Sequence, residues 1–126
     1  MKFICLGYLD TGMWSKLGES EQKAIVDACL AYDIELRKGG HFAGGQALQG
    51  AETAISVRWK NGKPSVSDGP FAETKEMLGG ILILEAASKE EAIRLMTRHP
   101  GIKMGCFEVR PADEAFMAEH PVLKTL

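Results

Sequence analysis

Two stretches of this chain read as strands that are apolar on both faces, and the chain carries too few helices to cover both sides. Lys2 to Leu9 holds Phe3, Ile4, Cys5, Leu6, Tyr8 and Leu9, and Gly80 to Ala86 holds Ile81, Leu82, Ile83 and Leu84. In a strand, successive side chains point to opposite faces, so Ile81 and Ile83 face one way while Leu82 and Leu84 face the other. Such a run suits a strand buried on both faces.

The remaining elements follow from caps and turns. Ser20 offers an N-cap for a helix running to about Lys38, with Ile25, Cys29, Tyr32 and Leu36 along one face and Gly39-Gly40 as its stop. His41 to Gly50 reads as a weak strand broken by glycines. Ala54 to Trp59 alternates, Asn61-Gly62 is a hairpin turn, and Ser65 to Ser67 returns; Pro64 predicts that this hairpin lies at a sheet edge. A polar loop from Asp68 to Leu78 follows, with one helical turn expected over Thr74 to Leu78. Ser88-Lys89-Glu90-Glu91 is a capping box opening a second helix, with Ala92, Leu95 and Met96 on its stripe and an end at His99-Pro100-Gly101. A last strand spans Gly105 to Arg110. A short helix over Asp113 to Glu119 and an apolar tail complete the chain.

This order predicts one α+β domain over residues 1–126, its core about 1–111: a ferredoxin-like sandwich with two helices on one face of an antiparallel sheet. Two helices leave the other face bare, and soluble monomers rarely expose a large apolar patch. A homodimer packed sheet against sheet is the economical solution, the alternative being that residues 112–126 fold back across that face.

The composition narrows the function classes. A net charge of −2 and the absence of any Lys/Arg cluster predict no nucleic-acid partner. The longest apolar run, Ile81 to Leu84, is too short to span a bilayer, so no membrane association is expected. The N-terminus lacks the pattern of a secretory signal. Cys5, Cys29 and Cys106 are odd in number and sit among apolar residues, which predicts reduced, buried thiols in a cytoplasmic protein. No His, Cys or carboxylate spacing matches a metal site, and neither metal nor cofactor is expected.

The run Val66-Ser67-Asp68-Gly69-Pro70-Phe71-Ala72-Glu73-Thr74-Lys75-Glu76, followed by Leu78-Gly79-Gly80, resembles the defining stretch of the DGPF-type proteins of the YCII-related family. Thr53-Ala54, Val57-Arg58, Asn61-Gly62 and Glu108-Val109-Arg110-Pro111 are similar to other recurring pieces of that group, so the likeness covers roughly residues 1–113. The resemblance implies a dimeric α+β barrel. It also implies kinship with lactone isomerases, dehydrochlorinases and cofactor-independent monooxygenases of the same fold, and, for some members, an association with extracytoplasmic-function sigma factors. In relatives, a histidine and an aspartate in the barrel cleft are proposed as an acid/base pair. The first helix of this chain contains no histidine.

Asp68 is the first candidate catalytic residue. With Asn61-Gly62 as a two-residue turn, Trp59 pairs with Pro64, Val57 with Val66 and Ile55 with Asp68, which aims the carboxylate toward an apolar face where desolvation raises its pKa. The same residue before Gly69-Pro70 also suits an Asx-turn. His41 is the second candidate, as acid or orienting group, or else as a partner of the preceding helix C-terminus. His99 and His120 read as surface residues. Tyr8 and Phe71 are expected to line a pocket for a small-molecule ligand, or else to pack in the core. Glu73 and Lys75 are expected to orient a polar ligand, or to form a solvated ion-pair cluster. Arg58 is expected to bind a carboxylate or support the loop. Two function classes remain: a cofactor-independent acid/base enzyme, and a non-catalytic ligand-binding or regulatory module.

Overall fold

The computed structural model describes residues 1–125. Strand β1 (Lys2–Asp10) is followed by helices α1 (Thr11–Ser15) and α2 (Glu19–Lys38) and by strand β2 (Phe42–Ala47). Strands β3 (Ile55–Lys60), β4 (Lys63–Asp68) and β5 (Glu76–Glu85) come next. Helix α3 (Lys89–Thr97), strand β6 (Gly105–Pro111) and helix α4 (Glu114–Glu119) complete the order. Four strands form an antiparallel sheet in the order β2-β5-β1-β6, and β3 and β4 form a separate two-stranded ribbon. The α+β sandwich expected from the pattern is the observed fold.

The two-faced strands occupy the centre of the sheet. Phe3, Cys5, Leu82 and Leu84 point to the helices and are buried with Tyr32 and Leu36 of α2 and Ala92 and Met96 of α3. Ile4, Leu6, Ile81 and Ile83 lie on the other face, and none of them is buried. The C-terminal helix α4 holds to the start of β1 through Glu114, which accepts from the Lys2 N–H, and none of its residues is buried. These four large apolar side chains are half-buried, so the protomer leaves part of their burial unrealised.

Several local expectations are corrected. Thr74 to Leu78 is not helical; β5 already begins at Glu76, because Tyr8, Leu9 and Asp10 pair with Leu78, Met77 and Glu76 beyond a bulge at Gly7/Tyr8. Helix α2 starts at Glu19 rather than after Ser20, with the Gly18 N–H donating to the Glu21 carboxylate at 3.4 Å. The capping box of α3 forms at Ser88, whose hydroxyl accepts from the Glu91 N–H at 3.1 Å, but the Glu91 carboxylate reaches Ala87 instead of Ser88. The hairpin has the expected register, with Ile55, Val57 and Trp59 opposite Asp68, Val66 and Pro64. It joins no edge of the main sheet, however, and Pro64, lacking an N–H, suits such a detached ribbon. Only Cys5 of the three cysteines is buried; Cys29 is half-buried and Cys106 exposed.

Candidate functional site

Several concavities carry polar groups, and the motif loop supplies one of them. Gly69, at φ +90°, turns the chain out of β4 in a conformation that glycine takes without strain. Its N–H donates to the Ala54 carbonyl at 2.7 Å, and the Ser56 hydroxyl donates to the Gly69 carbonyl at 2.8 Å. Arg58 donates from Nη2 to the Phe71 carbonyl at 2.6 Å, so this guanidinium supports the loop. The loop thus held back encloses a mainly apolar crevice of about 540 Å³ between Tyr8, Leu48, Ile55, Phe71, Met77 and Leu78.

The candidates named for this crevice divide. Tyr8 and Phe71 line it. Asp68, Glu73 and Lys75 are exposed and do not. The Asp68 carboxylate accepts no hydrogen bond among the described residues, so no Asx-turn forms there. Lys75 reaches away, its Nζ 3.5 Å from Asp10 Oδ2. His41 and Asp68 are not brought together within the protomer. His41 stands where β2 meets the far end of β5, its Nδ1 2.8 Å from the Glu85 carbonyl and Glu91 3.9 Å away. Leu78, at the crevice, lies about 23 Å from Glu85 along β5 at roughly 3.3 Å per residue.

The second concavity was not legible in the sequence. His99 is buried, 6% exposed, and not a surface residue as its place after a helix suggested. It sits between Tyr32 and Phe107, edge-on to both rings. The Gly101 N–H donates to His99 Nδ1 at 3.0 Å, which requires that nitrogen to be the acceptor. The ring proton therefore sits on Nε2, which faces Asp33 Oδ1 of α2 at 3.0 Å and donates to it. Asp33 Oδ2 has no partner among the described residues, and this side chain keeps 30% of its exposure.

Asp33 opens on a cleft of about 470 Å³ between α2 and the sheet, shared with His99, Cys29, Phe107, Gly7 and Gly80. The cleft exists because the sheet lacks side chains there: Gly7 pairs with Gly80 on one side and Phe107 on the other. A Cβ on Gly7 would sit 3.0 Å from the Phe107 ring. Burial first, and the Asp33 charge second, push the Cys29 thiol above its ordinary range. Tyr8 lines this cleft as well as the loop crevice and links the two. A carboxylate with one oxygen held by a buried imidazole and the other free can accept a proton from a bound molecule.

Fold and cleft together define a ferredoxin-like α+β protein with a small-molecule-sized pocket between helix and sheet. The chain belongs to the YCII-related family, whose domain model matches residues 1–114. It is 30% identical over 115 residues to the uncharacterized protein R00369 of Rhizobium meliloti (strain 1021), covering 88% of this chain and 91% of that one. Among solved structures it resembles 5-chloro-2-hydroxyhydroquinone dehydrochlorinase (TftG) from Burkholderia phenoliruptrix AC1100, in complex with 2,5-dihydroxybenzoquinone. The TM-score is 0.55, over 90% of this chain and 94% of that one. At 22% identity this likeness establishes the shared fold. No described helix is long and apolar enough to cross a membrane.

Proposed function

We propose that this protein is a cofactor-independent acid/base enzyme that moves a proton on a small organic molecule in the Asp33–His99 cleft. The observation that carries the reading is the histidine–aspartate pair itself, fixed in one tautomer by the Gly101 N–H and backed by two aromatic rings. Asp33 is the base. His99 is a positioning residue that orients the carboxylate and stabilises its charge, and Tyr8 contacts the substrate. A cleft of about 470 Å³ suits a single-ring compound, in keeping with an isomerase, lyase or dehydrochlorinase type of reaction. The active form is a homodimer, supported by the outer sheet face that no segment of the protomer buries.

A second reading is favoured by the loop crevice of about 540 Å³, a mainly apolar concavity walled by Tyr8, Leu48, Ile55, Phe71, Met77 and Leu78. In it, the protein is a ligand-binding or regulatory module that recognises its ligand between Tyr8 and Phe71, with Glu73 and Lys75 at the rim. The unbonded Asp68 carboxylate would act at the same rim, whereas His41, at the far end of β5, takes no part in it.

A thermal-shift screen with chlorinated hydroquinones, dihydroxybenzoquinones and small lactones, followed by deuterium exchange from solvent into any binder, separates the two. The enzyme reading expects exchange that Asp33→Asn abolishes and that Phe71→Ala and Asp68→Asn leave within a few-fold. Binding lost in Phe71→Ala and unchanged in Asp33→Asn, with no exchange, would establish the module instead.

A further inference from the structure

The Asp33–His99 cleft does not end at Cys29. It runs on into an apolar groove of about 220 Å³ between α1, α2 and the turn that follows α3, and Leu9, Cys29, Leu30 and Gly101 wall both spaces. Trp14, Ile25, Val26 and Met104 complete the groove, and no charged side chain stands among its described walls. The continuous space is therefore polar at one end, where Asp33 Oδ2 has no partner among the described residues, and apolar at the other. We infer that the molecule bound here is amphipathic: a small ring compound whose phenolic or enolic hydroxyl donates to Asp33 Oδ2 and whose alkyl or aryl substituent lies in the groove. This names the substrate class of the site proposed above and rests on that reading.

The spacing along α2 sets the size of the substituent. Asp33, Cys29 and Ile25 follow one another at intervals of four residues, so they stand on one face of the helix. At a rise of about 1.5 Å per residue, the groove begins about 6 Å along the axis from the carboxylate and reaches Ile25 at about 12 Å. A single ring anchored at Asp33 spans the first interval, and a chain of several carbons spans the second. The walls favour such a chain over a charged extension, which would give up its water with no opposite charge to meet. The Cys29 thiol, held above its ordinary range chiefly by burial, joins these walls as a neutral and weakly polar group. Trp14 is fixed from outside the core: α1 buries no residue, and the Trp14 carbonyl accepts from Gln22 Nε2 at 2.9 Å. At the rim, Val26 and Leu30 are 44 and 55% exposed, apolar area that a bound chain covers.

The test uses the full chain and three probes, resorcinol, ethylresorcinol and hexylresorcinol, titrated by calorimetry. A buried methylene strengthens binding by up to about fourfold, so affinity is expected to rise at least ~10-fold from the ethyl to the hexyl compound. Val26→Glu, at an exposed helix position, should leave the urea midpoint nearly unchanged and cut that gain to about threefold or less. Val26→Met should keep the gain. Asp33→Asn replaces a charged acceptor by a neutral amide, and should weaken all three probes by a common factor of about 10 while preserving the gain. Phe71→Ala should preserve it too. Affinity independent of chain length, or a gain that survives Val26→Glu, overturns the groove's role and leaves the Asp33 reading standing. A gain lost in Phe71→Ala moves the chain to the loop crevice and overturns the inference as well. Affinities that ignore Asp33→Asn, or no saturable binding of any probe, also overturn it, and deuterium exchange into unsubstituted rings then decides the enzyme reading by itself.

Discussion

His99 donates its Nε2 proton to Asp33 Oδ1 at 3.0 Å, joining the segment that follows α3 to the middle of α2 across 66 positions of sequence. Because the other ring nitrogen accepts from Gly101, the imidazole cannot rotate or change tautomer without breaking a buried bond. Replacing it therefore costs structure as well as chemistry. His99→Ala is expected to destabilise the protein by about 2–4 kcal/mol, combining the cavity left between Tyr32 and Phe107 with an unsatisfied Gly101 N–H. Asp33→Asn preserves the shape and is expected to lose at least ~100-fold in turnover with a far smaller stability cost. Urea denaturation beside a rate measurement separates the two effects.

Gly7 keeps the cleft open. Gly7→Val places branched carbon where the Phe107 ring and the Gly80 carbonyl already stand, at 3.0 and 3.5 Å from a Cβ. The expected outcome is about 1–3 kcal/mol of destabilisation from overpacking, together with loss of ligand-induced stabilisation. A thermal-shift titration reads both, and unchanged ligand response would place the binding site elsewhere.

The cysteines should differ sharply in reactivity. Burial pushes the Cys5 thiol up to about 11, and it is fully shielded from solvent. Cys106 is exposed, but its thiol donates to Glu76 Oε2 at 3.2 Å, and that bond leads the causes holding its pKa above the usual value. Since the thiolate is the nucleophile, Glu76→Gln should speed alkylation of Cys106 by iodoacetamide near pH 8 several-fold. Cys5 should stay unmodified in the native protein. Mass spectrometry of timed samples decides the matter.

Asp10 caps α1, accepting from the Met13 N–H at 3.1 Å, and lies 3.5 Å from Lys75 Nζ. The Met13 bond leads the causes that hold its pKa below the ordinary carboxylate value, with Lys75 adding to it against the opposing effect of burial. A lowered folded-state pKa means that the unfolded chain binds the proton more readily. The stabilisation is thus fully present above about pH 4, the unfolded value, and is lost as pH falls through the folded one. Melting temperatures of the wild type should drop more steeply below pH 4 than those of Asp10→Asn, which retains a capping side chain. Parallel slopes would show that Asp10 contributes nothing to acid sensitivity.

Much of the architecture was legible because it is written in short-range patterns. The double-sided apolar runs located β1 and β5, the Ser88 capping box located α3, and Asn61-Gly62 set the hairpin register to the residue. The loop motif likewise marked a concave site, of which Tyr8 and Phe71 are walls. What could not be read locally was decided by pairing between distant segments. Thr74 to Leu78 has the composition of a helical turn, yet its second half, Glu76 to Leu78, is strand because β1 offers it a ladder as far as Asp10. His99, beside Pro100 and Gly101, looks like a surface turn residue until α2 and β6 close around it. The Asp33–His99 pair and its glycine-floored cleft exist only once β1, β5, β6 and α2 are assembled. Periodicity and caps depend on neighbours within a few residues, whereas a buried polar pair depends on which far segments the core brings into contact.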